Sequence, residues 1–304
     1  MRPGGPDVLE VLDLPDPAAG PGEILIRVRA AAVSPTDTMR RAGARWEDSP
    51  GPPLVPGMDV AGTVQAVGPD TETDLRAGDE VMAIVLPEGA HGAYSELVAV
   101  PAEAVARVPR GASFAEAATL PMNGLTARLA LDTLRLPAGS VIAVTGAAGA
   151  FGGHSVELAK ADGHTVIADA SEADEELVRS LGADHVVRRG PGFAAAVREI
   201  APAGADGVID GAVQLDEIVP AAKDGATVIT IRGDKGERDR GVTFWSIVVG
   251  KYGRRADLLG ELRELAEAGS VRLRVADVLP KERAAEAHRR LEAGGTRGRL
   301  VLEF

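Results

Sequence analysis

In the second half of the chain, the pattern of apolar and polar residues predicts strands that alternate with helices. Short β-branched runs indicate strands, and apolar residues recurring every three or four positions indicate helices. The predicted strands start with the run from Val141 and continue at residues 165–169, 185–188, 207–210, 226–231 and 242–249. The predicted helices are residues 155–161, 175–181, 193–200 and 215–222. This alternation is typical of a doubly wound α/β domain with a parallel sheet of about six strands.

The first half has a different pattern, with short strands separated by proline and glycine clusters. Polar and apolar positions alternate over a strand length at residues 23–29, 62–68 and 80–85, as in an irregular β-barrel or sandwich. The C-terminal segment returns to this pattern, with strands at 273–279 and 298–304 around a helix at 281–293. We therefore predict a discontinuous first domain, residues 1–117 and 272–304, and a second domain, residues 118–271.

Three glycines spaced three apart, Gly146, Gly149 and Gly152, lie between an apolar strand and a helical segment. Backbone N–H groups in such a turn, together with the helix dipole, bind a pyrophosphate. The alternative is a glycine turn that serves only close packing of strand and helix. Because both flanks have the required character, we expect a dinucleotide to bind here. The predicted contacts are Gly146, Ala148, Gly149, Ala150, Phe151 and Gly152.

Composition narrows the class of protein. The 304 residues suffice for two domains with separate cores, and 45% hydrophobic but only 3% aromatic residues make those cores mainly aliphatic. A net charge of −12 argues against nucleic acid or an anionic membrane as a partner. Cysteine is absent, which excludes disulfides and thiolate zinc sites. Neither a membrane-spanning run nor a basic-then-apolar leader is evident, so we expect a cytoplasmic protein with a small-molecule substrate.

Sequence blocks spread along the chain resemble those of a known enzyme family. In chain order they are Pro21-Gly22-Glu23, Val33-Ser34-Pro35-Thr36-Asp37, Pro56-Gly57-Met58-Asp59-Val60-Ala61-Gly62, Gly78-Asp79-Glu80-Val81, Gly92-Ala93-Tyr94-Ser95-Glu96, Gly124-Leu125-Thr126-Ala127 and the glycine turn. They resemble the medium-chain dehydrogenase/reductase superfamily, and within it the zinc-independent quinone oxidoreductase branch. The resemblance implies an α/β fold, with a Rossmann-type doubly wound parallel sheet plus a GroES-like irregular β-barrel domain. It also implies hydride transfer from a nicotinamide cofactor to a quinone or an activated C=C bond.

Two blocks bear on metal chemistry. Zinc-dependent relatives carry a cysteine where this chain has Ser34, and Gly-His-Glu where it has Gly57-Met58-Asp59. Zinc takes thiolate, imidazole and carboxylate ligands, which Ser34 and Met58 do not supply. We therefore expect no metal site. Conjugate reduction or quinone reduction is then favoured over the metal-stabilised alkoxide chemistry of alcohol dehydrogenases.

Two departures from the family stand out. Relatives have a further strand before the turn at Gly4-Gly5-Pro6, so we expect one edge strand of the first domain to be missing or the start to be misassigned. Ala150 and Phe151 replace the usual Gly-Val, and we expect the Phe151 ring to lie beside the pyrophosphate or the nicotinamide.

The choice of nicotinamide cofactor depends on the end of the second strand. NAD enzymes place an acidic residue on the adenosine ribose, and alignment with the family puts Ala170 at that position and Asp169 one residue before it. Neighbouring strand residues face opposite sides, so Asp169 is expected to point away from the ribose. Ala170 and Ser171 then leave room for a 2′-phosphate, which Arg189 could bind. Asp174 stands where relatives often have lysine. On balance NADP(H) is favoured over NAD(H).

No side chain stands out as an indispensable acid or base. The catalytic candidates are Asp37, Trp46 and Tyr94, each with a structural alternative: capping of the following helix for Asp37, a core anchor for Trp46 and barrel packing for Tyr94. The resemblance further implies cofactor contacts from Thr126, Ile231 and Trp245, and the alternatives are helix packing for Thr126 and core packing for Trp245. The five histidines lack ligand spacing and are interpreted as solvated or structural.

The β-prone run at residues 242–249 would be an exposed sheet edge if it were unpaired. We therefore predict a homodimer that joins two such edges.

Three functions compete for this chain. The favoured one is an NAD(P)H-dependent quinone or enoyl reductase. The others are a dinucleotide-binding protein with little turnover, such as a sensor or structural relative, and a pathway-specific tailoring enzyme on the same scaffold.

Overall fold

The computed structural model describes residues 3–44, 53–86 and 91–304, and for Lys251 the backbone alone. The strands are β1 Glu23–Ala32, β2 Asp59–Val67, β3 Glu80–Ile84, β4 Leu97–Pro101, β5 Val105–Arg107, β6 Val141–Thr145, β7 Thr165–Ala170, β8 His185–Arg188, β9 Ala205–Asp210, β10 Ala222–Thr230, β11 Gly236–Glu237, β12 Thr243–Ser246, β13 Val275–Pro280 and β14 Arg299–Glu303. The α-helices are α1 Pro35–Arg41, α2 Phe114–Ala117, α3 Pro121–Leu134, α4 Ala150–Ala161, α5 Glu175–Ser180, α6 Phe193–Ile200, α7 Ala256–Glu267 and α8 Ala284–Ala293. Short 3₁₀ helices occur at Pro6–Val8, Ala102–Ala104, Glu172–Asp174, Leu215–Ala221, Asp239–Gly241, Val249–Lys251 and Lys281–Arg283.

The chain divides into two compact units. The first comprises Met1–Met122, Gly250–Ala268 and Leu273–Phe304, and the second comprises Asn123–Val249 and Gly269–Arg272. These bounds differ from the predicted domains at residues 118–122, 250–268 and 272. The largest difference, 250–268, arises because α7 packs on β5 and Glu267 bonds the Arg110 side chain. The α/β fold class is confirmed.

In the first unit the sheet is built around β1. The strand order is β13-β14-β1-β2-β3-β5, with β4 also paired to β1. β1 is long enough to pair with β4 through residues 23–27 and with β14 through residues 30–32. Its side chains Ile24, Ile26 and Val28 enter the core with almost no exposure. The C-terminal strand therefore completes the first sheet, as its apolar pattern predicted.

In the second unit the sheet is mainly parallel, in the order β8-β7-β6-β9-β10-β12-β11. Its central strands β6, β7 and β9 are buried along almost their whole length, as a doubly wound sheet requires. The strand order reverses between β6 and β9, and a crevice at the carboxyl ends of two such strands is where this architecture binds ligands. The residues that follow β6, β7, β8 and β9 therefore lie at the carboxyl edge of the sheet, where a ligand is expected.

Two predicted elements of this unit are wrong in detail. The strand expected at 242–249 is limited to Thr243–Ser246, and β11 pairs with it antiparallel at Thr243 and Phe244. It is therefore not the outermost strand of the sheet. The helix expected at 215–222 is a 3₁₀ helix, Leu215–Ala221, which contains Pro220 and begins with Leu215 at φ 54°. Proline lacks the N–H donor of a regular α-helix, which explains the tighter turn. Across the described residues, no helix combines the length and apolar character needed to cross a membrane.

Candidate functional site

The glycine turn joins β6 to α4, and its three glycines have different structural roles. At Gly152 an added Cβ would lie 2.2 Å from the Gly146 carbonyl oxygen, and at Gly146, where φ is +67°, it would lie 2.9 Å from the backbone of Gly211. These two glycines are required for close packing. At Gly149 the backbone is extended, and of the residues that the structure describes the added Cβ would meet the Gly146 oxygen alone, at 3.1 Å. Gly149 therefore leaves space outside the turn, which a ligand backbone can approach.

The N-terminus of α4 suits an anion. Gly149 is the N-cap, and it has no side chain to bond the first N–H groups of the helix. The helix provides no acceptor for the N–H groups of Ala150, Phe151 and Gly152, because the first intrahelical bond is donated by the Gly153 N–H to the Gly149 oxygen. Together with the helix dipole, this cradle fits a pyrophosphate.

Phe151 does not stand over the turn. Its side chain is buried, and a Cβ on Gly211 would lie 3.1 Å from the ring. The ring therefore fills the space between α4 and the loop after β9, where the absence of a side chain on Gly211 admits it. The expected position of the ring beside the pyrophosphate or the nicotinamide stays a prediction.

Asp169 lies at the end of β7, with its side chain fully buried. Its Oδ1 accepts a 3.0 Å hydrogen bond from the Ala147 N–H in the glycine turn. Its Oδ2 accepts a 3.0 Å bond from Nε of Arg189, which follows β8. The carboxylate therefore faces the protein interior and connects the ends of three neighbouring strands.

Ser171 and Arg189 lie beyond the ends of β7 and β8. The Ser171 hydroxyl donates a 2.5 Å bond to Oδ2 of the buried Asp174, so a phosphate could receive this proton only if the hydroxyl left Asp174. The Arg189 side chain is 39% exposed, and among the described residues no partner contacts its terminal nitrogens. Arg189 is therefore the better placed of the two for a phosphate.

Sequence reasoning missed Asp210. This fully buried carboxylate at the end of β9 accepts bonds from the Thr145 hydroxyl at 2.7 Å, the Gln214 N–H at 3.0 Å and the Leu215 N–H at 2.8 Å. It holds the loop in which Val213 and Leu215 adopt positive φ. An aspartate that ends an apolar strand at the ligand-binding edge was the signal that could have identified it.

In the first unit, Asp37 forms a buried hydrogen-bonded cluster with two aromatic residues. Its oxygens accept the N–H of Ser34 at 2.8 Å and the N–H of Gly57 at 3.0 Å, and the Tyr94 hydroxyl lies 3.4 Å from Oδ2. The same hydroxyl lies 3.2 Å from Nε2 of His288, whose side chain is fully buried. Two of the three catalytic candidates are thus brought together, with the capping and packing contacts of their structural alternatives, and a catalytic role for either stays a prediction.

Burial decides the protonation of this cluster. Desolvation raises the pKa of Asp37 to about 6, against the lowering effect of the two backbone hydrogen bonds. Desolvation also lowers the pKa of His288 to about 4, assisted by the nearby charge of Arg41. The pKa of Tyr94 is raised well above its ordinary value, mainly by burial. The cluster therefore favours a neutral imidazole and a carboxyl that is readily protonated.

Residues at the zinc positions of relatives do not fit a metal. Ser34 and Met58 are buried, and they offer a hydroxyl and a thioether. Asp59 is engaged elsewhere, since its oxygens accept bonds from the Met122 N–H at 2.6 Å and from the Arg299 guanidinium at 2.7 Å. Within the part of the chain that the structure describes, no group of three metal-binding side chains occurs.

The remaining candidates have separate positions. Ile231 directly follows β10, and Trp245 lies on the neighbouring β12 with 53% of its surface exposed. Thr126 is half-buried within α3. Trp46 lies outside the described residues.

Comparison with known proteins adds to this geometry. Residues 20–110 match the alcohol dehydrogenase GroES-like domain family, and residues 181–302 match the zinc-binding dehydrogenase family. The chain is 35% identical over 98% of its length to the NADPH-dependent alkenal/one oxidoreductase of Arabidopsis thaliana, covering 77% of that protein. It is 28% identical over 98% of its length to a quinone oxidoreductase of Sus scrofa, covering 94% of it. The chain belongs to the quinone-oxidoreductase-like branch of the medium-chain dehydrogenase/reductase superfamily.

Solved structures share the fold of this chain, and their descriptions name different cofactors. A structure described as an NAD-dependent alcohol dehydrogenase superposes with a TM-score of 0.88 at 32% identity, with 100% of this chain and 98% of the other covered. A mycobacterial protein solved in complex with NADPH superposes with a TM-score of 0.87 at 29% identity, with the same coverage. The resemblance seen in the sequence blocks is thereby confirmed.

Proposed function

We propose that the protein is an NADPH-dependent oxidoreductase that reduces a quinone or an activated C=C bond in a small molecule. The observation that carries the proposal is the open face at Gly149, where a pyrophosphate can approach the uncapped N-terminus of α4. Relatives named for alkenal/one and quinone reduction support the reaction class.

The preference for NADPH rests on two side chains. Asp169, the acidic residue nearest the ribose position, is turned inward and engaged by Ala147 and Arg189. Arg189 has terminal donors with no partner among the described residues, and its planar guanidinium suits a phosphate. An arginine near the ribose is how dinucleotide-binding folds accommodate a 2′-phosphate.

The chemistry requires a hydride and a proton. A nicotinamide held by the glycine turn would supply a hydride for the β-carbon of an enone, and solvent would supply the proton for the α-carbon. The residues of the glycine turn bind and orient the cofactor through backbone N–H groups. In the Asp37–Tyr94–His288 cluster Asp37 and His288 are buried and Tyr94 is half-buried, and the Asp37 carboxylate holds the turn around Gly57. We therefore assign it a positioning role.

The proposal is tested by following cofactor oxidation with purified protein, NADPH or NADH, and a panel of quinones and enones. Consumption of NADPH that depends on one of these acceptors is expected. Tight cofactor binding with no turnover on any acceptor would instead favour the dinucleotide-binding protein with little turnover.

We further propose a homodimer through β12 at Trp245, because among the described residues β11 pairs with β12 only at Thr243 and Phe244, and a large aromatic side chain with 53% exposure favours a partner. The substitution Trp245→Lys is expected to convert a dimer to a monomer in light scattering, and a monomeric parent protein would contradict the proposal. A cytoplasmic location, and the lack of nucleic-acid and membrane partners, likewise stay proposals.

A further inference from the structure

Three aspartates of the second unit share one bonding arrangement. Each accepts a backbone N–H from a neighbouring strand segment and also binds a basic side chain. Asp184 accepts the Val166 N–H and pairs with Lys160. Asp206 accepts the Val141 N–H and pairs with Lys223.

Asp169 is the third member, and its position is different. Asp184 and Asp206 serve the amino ends of β7 and β6, because Val166 and Val141 lie at the starts of those strands. Asp169 ends β7, and the N–H that it accepts belongs to Ala147 of the glycine turn. Ligands of doubly wound sheets bind at the carboxyl edge, so this arrangement alone of the three has its basic partner, Arg189, on the ligand side.

Within this pair, the nitrogens of the Arg189 guanidinium differ in their contacts. Nε donates to the buried carboxylate of Asp169 at 3.0 Å, while the side chain is 39% exposed. The terminal nitrogens have no partner among the described residues. An unanchored arginine has many rotamers, whose entropy is lost when it binds a ligand. A buried anchor at Nε restricts those rotamers before the ligand arrives.

We propose that Asp169 is a positioning residue for cofactor choice: it anchors Arg189 through Nε, so that the terminal guanidinium nitrogens face the 2′-phosphate of NADPH. The same carboxylate holds Ala147, which ties the glycine turn and the phosphate-binding arginine to one group. This inference rests on the proposed NADPH function. In NAD enzymes an acidic residue at this end of the sheet binds the ribose and favours NAD, whereas Asp169 would favour NADPH by positioning Arg189.

The test uses Asp169→Asn, which keeps an oxygen for the Ala147 N–H and turns an amide donor towards Nε of Arg189. The quantity measured is the ratio of the dissociation constants for NADH and NADPH, obtained by calorimetry. Damage to the glycine turn weakens both cofactors alike, because they share the pyrophosphate. Loss of the anchor weakens NADPH selectively, and we expect the ratio to fall about tenfold. Adenosine 2′,5′-bisphosphate and AMP, compared in the same way, should show the same change without the nicotinamide.

The matched control is Asp206→Asn, which breaks the equivalent pair at the amino edge and should leave the ratio unchanged. Adding Asp169→Asn to Arg189→Ala should change the ratio no further than Arg189→Ala alone. An unchanged ratio in Asp169→Asn, an equal fall in Asp206→Asn, or a further fall in the double variant would overturn the inference.

Failure of the inference and failure of the proposed cofactor are distinguishable. If Arg189→Ala lowers the ratio and Asp169→Asn does not, Arg189 binds the phosphate without its anchor, and the role of Asp169 alone is wrong. If Arg189→Ala leaves the ratio unchanged, the phosphate site is wrong, and the inference is overturned with it. Should Asp169→Asn not fold, Arg189→Lys replaces it. Lysine retains the charge but cannot present one nitrogen to Asp169 and others to the phosphate, so the ratio should still fall, and a full parental ratio would overturn the inference.

Discussion

Two glycine-containing turns, one in each unit, are held by a buried aspartate, and they differ in what lies outside the glycine. In the first unit Asp37 accepts the N–H of Gly57, and a Cβ on Gly57 would lie 2.6 Å from Tyr94 Cδ1 and 2.8 Å from two backbone nitrogens. In the second unit Asp169 accepts the N–H of Ala147, and a Cβ on Gly149 would meet one oxygen at 3.1 Å. The first turn is filled by the protein, whereas the second leaves space for a ligand.

The two aspartates also differ in how their charge is balanced. Asp169 is paired directly with Arg189. Asp37 has backbone N–H groups and the Tyr94 hydroxyl as hydrogen-bond partners, and its charge is opposed by burial. A glycine turn braced by a carboxylate is therefore not by itself a ligand site. The space outside the turn and the charge beside it distinguish the two.

The largest expected effect is that of Gly57→Ala. Its φ of +103° is unfavourable for alanine, and the new Cβ would overlap the Tyr94 ring and the backbone. We expect a loss of roughly 3 kcal/mol or more in the free energy of unfolding, measured by urea denaturation. The matched change Gly149→Ala should lose far less. Equal losses would show that the two turns are filled alike.

The pH dependence of stability should reveal the opposed pKa shifts of Asp37 and His288. Asp37 has a folded pKa of about 6, above its ordinary 3.8, so its contribution to stability is present below pH 3.8 and is lost as pH rises through 6. His288 has a folded pKa of about 4, below its ordinary 6.5, so its contribution is present above pH 6.5 and is lost as pH falls through 4. Between pH 4 and 6 the folded state holds the proton on Asp37 and the unfolded state holds it on His288. The two slopes therefore oppose each other.

Removing either partner should expose the slope of the other. Asp37→Asn is expected to lose stability as pH falls from 6.5 towards 4, and His288→Gln is expected to lose stability as pH rises from 4 towards 6. Each change should approach about 3 kcal/mol across its range, measured by urea unfolding at several pH values. If both variants show the same dependence of stability on pH as the parent protein, the opposed pKa shifts of Asp37 and His288 are contradicted.

A smaller effect is expected at Arg189. Arg189→Ala removes a charge-assisted bond worth roughly 1.5–3 kcal/mol, so NADPH affinity should fall about tenfold to a hundredfold. NADH has no 2′-phosphate and should bind almost as before. Fluorescence titration with both cofactors decides the matter: equal losses would mean that Arg189 is structural.

Local pattern predicted much of the fold, and the reasons for the misses are physical. The strand His185–Arg188 and the helix Phe193–Ile200 have the predicted bounds, because period and propensity agree there. The run at 242–249 is β-prone along its length, yet the strand covers only Thr243–Ser246, since β propensity alone does not determine where pairing ends.

The candidate site was predictable where it depends on the local chain, as in the glycine turn. The bond between Tyr94 and His288 joins residues 194 positions apart, and no spacing rule indicates it. The Asp169–Arg189 pair was missed for the same reason, although each residue was considered separately. In both cases the fold brings together residues from separate segments of the chain.

The most direct test of the central claim is titration of NADPH into Gly149→Val, with its melting temperature measured alongside. If the space outside Gly149 belongs to the pyrophosphate, the variant should melt close to the parent protein. It should also lose most of its affinity for NADPH and NADH alike, because both carry the pyrophosphate. A folded Gly149→Val protein that binds NADPH as tightly as the parent would place the dinucleotide elsewhere and contradict the claim.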